Sequence, residues 1–200
     1  MFVLTVDQID SQNHADRVEP ALHDITRGLG SRLVAPPERT AGDEFQVATE
    51  EGAVALDLAL TLVRAGDWRV GLGVGDARSP LGSSVRAMSG TAFVNAREAV
   101  STAKKRPARF ALVADSSAER LDPLIRLLLT LRERRTSEGW ELFDLLEGDP
   151  GLTLTDAAGR LGITVQAASQ RALTAGLRLD REARDALGSM LTDEGGRIGG

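Results

Sequence analysis

The chain has 200 residues, 42% of them hydrophobic, and a formal charge of −5. That is enough apolar content for a packed core, and the acidic balance excludes a protein that holds nucleic acid through its overall charge. The absence of cysteine excludes disulfides, thiolate zinc sites and a cysteine nucleophile. The opening run lacks the basic lead of a signal peptide, and no apolar stretch approaches the ~20 residues of a membrane span, so a cytoplasmic protein is expected.

In chain order, Phe2 to Val6 is short, apolar and β-rich, and reads as a buried first strand with Asp7 and Asp10 at its end. Val18, Leu22, Ile25 and Leu29 recur at helical spacing, and Gly28 and Gly30 close that helix. Arg32 to Thr40 is a weaker strand that Pro36-Pro37 confines to a sheet edge. Gly42-Asp43 is a two-residue hairpin signal, in which glycine would supply positive φ. A strand from Glu44 to Ala48 follows, then a helix from Glu50 to Arg64 stopped by Gly66. In Trp68 to Gly75, Val70, Leu72 and Val74 face one way and Gly71, Gly73 and Gly75 the other. Such a bare face requires close approach by a helix or a ligand. Ala77 to Ser89 reads as loop, Gly90 to Arg106 as a helix with Ala92, Phe93, Ala96, Ala99, Val100 and Ala103 inward, and Arg109 to Val113 as a strand.

The resulting order, β-α-β-β-α-β-α-β, predicts an α+β ferredoxin-like unit over residues 1–115 with an added helix and strand. In that topology the end of the first strand lies beside the start of the third, which gathers Asp7, Asp10, Asp43 and Glu44. Carboxylates so placed suit Mg²⁺ or Mn²⁺, which take oxygen ligands and bridge to phosphates. Locally, Asp43 also fits as a turn residue and Asp7 and Asp10 as the start of a loop, and spacing alone favours that reading.

Residues 116–137 form a linker helix. Leu121, Leu124, Ile125, Leu127, Leu128, Leu129 and Leu131 make it apolar nearly all round, which predicts burial between domains or in a dimer. Residues 138–193 read as an all-α helix-turn-helix domain: Thr155 caps a helix over Asp156–Leu161, Gly162-Ile163-Thr164 makes the turn, and a second helix runs from Val165 to Ala175. Ala157, Ala158, Leu161, Ile163, Val165 and Leu173 are its expected core. Thr164, Gln166, Ser169, Gln170, Arg171 and Thr174 would face DNA, with Arg and Gln suited to G and A. Against this, the chain from Asp149 onward carries six arginines and seven acids, a balance of −1. A last helix spans Arg181 to Leu191, and 194–200 reads as a disordered tail. His14 and His23 read as surface residues.

Val6-Asp7-Gln8-Ile9-Asp10, the Ala41–Phe45 run, the glycine strand and Gly90–Arg97 together resemble the palm-type nucleotide cyclase domain. The resemblance implies two metals on Asp7 and Asp43, and a nucleotide contacted by Asn95. Gly42, Gly73, Gly75 and Arg97 complete the implied nucleotide site. The family's arginine four residues after the asparagine is replaced here by Ala99, with Arg97 nearby. As a whole the chain is most similar to the SatD family of small bacterial proteins, some of which are labelled MarR-type regulators. The expectation is a DNA-binding regulator, dimeric, that senses a nucleotide or metal-nucleotide ligand. The alternative is a metal-dependent nucleotidyl transferase or cyclase.

Overall fold

Strand β1 (Phe2–Gln8) is buried along its whole length and is the middle of the sheet. The computed structural model describes residues 1–78, 80–82 and 84–198. From β1 the chain enters α1 (Val18–Leu29), a 3₁₀ turn at Gly30–Arg32 and the hairpin β2 (Glu38–Ala41) and β3 (Glu44–Thr49). Next come α2 (Gly52–Ala65), β4 (Trp68–Val74), α3 (Thr91–Ala103) and β5 (Phe110–Ala114). The remainder is helical: α4 (Asp122–Glu133), α5 (Ser137–Gly148), α6 (Leu154–Arg160), α7 (Val165–Thr174) and α8 (Leu177–Ile198).

The fold is α+β, with a five-stranded sheet of order β2-β3-β1-β4-β5. The neighbours are antiparallel except β4 and β5, which α3 joins in parallel. On one face Phe2, Leu4 and Val6 alternate inward with Phe45, Val47, Val70 and Leu72, beneath α1 and α2; α4 packs beside α2 against β5, and α8 packs on α2. The other face carries Val3, Ala48, Ala92, Phe93 and Ala96.

That second face explains the glycines. A side chain at Gly71, Gly73 or Gly75 would run into backbone or side-chain atoms of α3 or its first residue. The close approach anticipated from the bare face is therefore made by a helix.

Several expectations need correction. The edge strand is only Glu38–Ala41, because Pro36-Pro37 and the 3₁₀ turn occupy the first half of 32–40. Gly42 and Asp43 make the tight tip without positive φ. Such a turn mismatches the strand twist, and β2 takes this up in a register shift between Arg39 and Ala41. Positive φ falls instead on Asp10, at 50°, where a short polar side chain tolerates it.

Helix α4 is not enclosed between the parts of one copy, so the first of its two expected settings does not hold. Ile125, Leu128 and Leu129 are buried, but Leu124, Leu127 and Leu131 are exposed, since the apolar arc is wider than the surface offered by its neighbours. In α7, Val165 and Leu173 are exposed rather than core; Leu173 lies about 140° around the helix from buried Ala168.

Finally, residues 194–198 are helix, not tail. Gly195 reads as a breaker in the sequence, but it lies against the Phe2 ring where no side chain would fit, and Ser117 Oγ donates to Glu194 Oε2 at 2.7 Å. Gly199 and Gly200 lie outside the described residues, as do Ser79 and Ser83 of the expected Ala77–Ser89 loop. The described part of that loop holds a 3₁₀ turn at Val85–Ala87. Among the described residues no helix is long and apolar enough to cross a membrane.

Candidate functional site

The register of β1 decides what meets at the acid end of the sheet. Asp7 stands opposite Glu44 on β3 and opposite Arg69 on β4. The Gln8 N–H donates to the Asp43 carbonyl at 2.9 Å, tying the strand end to the hairpin tip. Asp7, Asp10 and Asp43 share a cleft of about 370 Å³ with Ser11, Gln12, Asn13, Arg69 and Lys104. Glu44 is not in its wall and accepts from the Thr40 hydroxyl at 2.6 Å.

The carboxylates in this cleft already have partners. Asp7 is 5% exposed, and Lys104 Nζ lies 2.5 Å from its Oδ1 and Arg69 Nη1 3.2 Å from its Oδ2. Asp43 accepts from Ser11 Oγ at 2.7 Å. Among the described residues no group of three or more His, Asp or Glu side chains converges to hold a metal ion. A divalent ion would have to displace both cations from Asp7, so the donor set as it stands does not fit Mg²⁺ or Mn²⁺.

Lys104 follows the last turn of α3 and Arg69 opens the glycine strand, on the same face as Asp7. Sequence reasoning missed both. The parity of Arg69 with Gly71 was a usable signal for Arg69. Lys104 needed the packing direction of α3, which runs with its N-terminus over Gly75 and its C-terminus beside Asp7.

The residues that the cyclase resemblance assigns to a nucleotide are elsewhere. Gly73 and Gly75 lie at and just beyond the far end of β4, about 13 and 20 Å along the chain from Arg69. Asn95 is buried; its Nδ2 donates to the Val74 carbonyl at 2.9 Å and approaches Asp115 Oδ2 at 3.4 Å. It fastens α3 to the sheet. Arg97 is on the exposed side of α3. Gly42 is at the tip, where Arg39 Nη1 holds its carbonyl. Arg39 also binds Asp16 at 2.5 Å. The Val18 N–H and then Arg39 hold the exposed Asp16 carboxyl below its ordinary range. His14 and His23 are exposed.

No family model, curated protein or solved structure matches the chain.

The second candidate lies on α6 and α7. Thr153 and Asp156 form a reciprocal cap at the start of α6, and the Thr153 hydroxyl lowers the Asp156 carboxyl. Gly162, at φ 64°, turns the chain, and Thr164 caps α7 by accepting from Ala167 N at 3.1 Å. Ala157, Ala158 and Ala168 are the buried contacts. Gln166, Ser169, Gln170 and Thr174 stand exposed on α7. Arg171 is less free, because its Nη1 donates to Glu141 of α5 at 3.2 Å. Beyond α7, the Arg178 side chain is 92% exposed.

These helices are anchored by charge. Asp180 of α8 is buried between Arg132 and Arg135, with contacts of 2.6 and 2.5 Å. Burial works to raise its carboxyl, but the two arginines carry it below the ordinary range. Arg64 of α2 stacks on Trp140 at 3.8 Å and pairs with Asp144 at 2.5 and 2.6 Å, fixing α5 against α2.

Proposed function

We propose that this chain is a DNA-binding regulator of the kind the SatD resemblance implies, with α6 and α7 as a helix-turn-helix. The observation that carries this reading is the face of α7. Four polar side chains capable of contacting base edges stand in solvent on a capped helix that a positive-φ glycine sets at an angle to its predecessor. Arg178, exposed just beyond α7 and held only by Glu182 at 3.5 Å, would supply a phosphate contact. The low charge of the region predicts modest affinity with a shallow salt dependence.

In the same reading, the strand order β2-β3-β1-β4 supports a ferredoxin-like, palm-type unit whose cleft senses a nucleotide. Lys104 and Arg69 would meet phosphate, and Gln12 and Asn13 offer amide groups to base or ribose. A free nucleotide suits this cleft better than a metal-nucleotide, since the cations already occupy Asp7. For the same reason the geometry gives the metal-dependent transferase less support.

The test is fluorescence anisotropy with the chain's own upstream DNA at two salt concentrations, with and without each ribonucleotide. Gln166→Ala with Gln170→Ala should weaken specific binding at least tenfold, about 1.4 kcal/mol. Binding that is absent at both salt concentrations, or indifferent to this double variant, would overturn the proposal.

A further inference from the structure

The groove between α4 and α8 is walled by Leu124, Leu127 and Leu131 on one side and Leu179, Ala183 and Met190 on the other. The four leucines and Met190 are 46 to 61% exposed. Five of the large apolar side chains that the fold leaves in water therefore fall on one continuous surface, while Leu81, Val94, Val165 and Leu173 lie elsewhere in the chain.

We propose that this groove is the contact between two copies of the chain, related by a two-fold axis. Two observations select a second copy as the occupant.

The first is area. The five side chains expose on the order of 450 Å² of apolar surface, at the level of the largest patch on a typical monomer. Doubled across a two-fold axis, this is about 900 Å², more than half of the ~1,600 Å² buried by a standard interface, before any rim is counted.

The second is charge. The α4 stripe is bracketed by Arg120 and Arg134, both exposed and without an ion pair among the described residues. Beside the α8 stripe stands Glu182, also exposed, its cation within the chain being Arg178 one turn away at 3.5 Å. A two-fold contact must be complementary to itself. Laying α4 of one copy on α8 of the other sets leucine on leucine at the centre and arginine against carboxylate at the rim, twice over.

The contact stands independently of the DNA reading and is tested without DNA or nucleotide, by sedimentation of the full chain across a wide concentration range. The expected mass is twice the 21.3 kDa of one chain. Leu127→Glu with Leu131→Glu should give a folded monomer with the wild-type far-ultraviolet circular dichroism and a urea midpoint independent of protein concentration, because both side chains are exposed within one copy and only the stability contributed by association is lost. Arg120→Glu with Arg134→Glu, and Glu182→Arg in a second variant, should each weaken self-association by opposing like charges across the rim. Mixing these two variants should restore a dimer, since every rim contact then joins opposite charges. A wild-type monomer throughout, a dimer indifferent to the leucine substitutions, or a mixture no tighter than its components would overturn the proposal. So would a wild-type monomer that binds anilinonaphthalene sulfonate in this groove, which would make it an apolar ligand site.

Discussion

A carboxylate as buried as Asp7 needs partners to keep its charge, and here the partners sit at the rim of the cleft. The Arg69 and Lys104 side chains are 26 and 46% exposed, so both can return to water if Asp7 is removed. Asp7→Asn should therefore cost about 1–2 kcal/mol in urea unfolding, below the 3–5 kcal/mol expected when a fully enclosed pair is broken. Lys104→Ala serves a different purpose: it should abolish any nucleotide-induced rise in melting temperature while leaving the fold intact. The glycines separate as sharply. Gly73→Ala drives a methyl into the α3 backbone, which cannot give way, and should cost about 3 kcal/mol. Gly42→Ala meets nothing within 4 Å at an ordinary φ and should be close to neutral, by the same measurement.

Among elements, the attachment of α8 to α4 depends on the ionised state of Asp180. Its folded pKa is depressed, so the folded state binds its proton less readily than the unfolded state. The stability it contributes is fully present above the unfolded value of about 3.9 and is lost as pH falls through the lower folded value. Below about pH 4, unfolding should become easier in the wild type. In Asp180→Asn that part of the pH dependence should be missing, at the cost of lower stability at neutral pH; urea titrations at pH 3 to 7 measure both. The turn before α7 is a second sensitive point: Gly162→Ala forces a side chain into the left-handed region and should cost about 1 kcal/mol. What was legible in the sequence also divides by element. Apolar alternation and glycine stops placed the strands and helices of the α/β part to within a few residues, because those signals are local; the exception is the edge strand, whose first six expected residues are the 3₁₀ turn and the Pro36-Pro37 segment. The ion pairs of Asp7 and Asp180 were not legible, since Lys104 and Arg132 reach them only through the packing direction of whole helices. The cleft was legible only in part: strand order brings Asp7 to Asp43, but Asn95 and the glycines at 73 and 75, which resemblance assigned to the same site, belong to the opposite end of the sheet.

At the scale of the molecule, the C-terminal helix joins parts that the sequence read as separate. Near its C-terminal end Gly195 of α8 lies against the Phe2 ring, and Gly188, Leu191 and Thr192 touch α2 at Gly52 and Ala53, where small residues let the two backbones approach closely. Its other end carries Asp180 and follows directly on α7. At 22 residues it is about 33 Å long. The contact at Gly52 is then a fulcrum placed off-centre on a stiff rod, with Leu177 about 20 Å away on the longer arm. A ten-degree tilt there displaces that end by about 3 Å, roughly the rise of two residues of helix. Small adjustments beneath α2 would thus be magnified at α7, resisted along that arm by the Arg184–Asp57 and Asp180–Arg132 pairs, and the pivot is set by two glycines, Gly52 and Gly188, that carry no chemistry of their own.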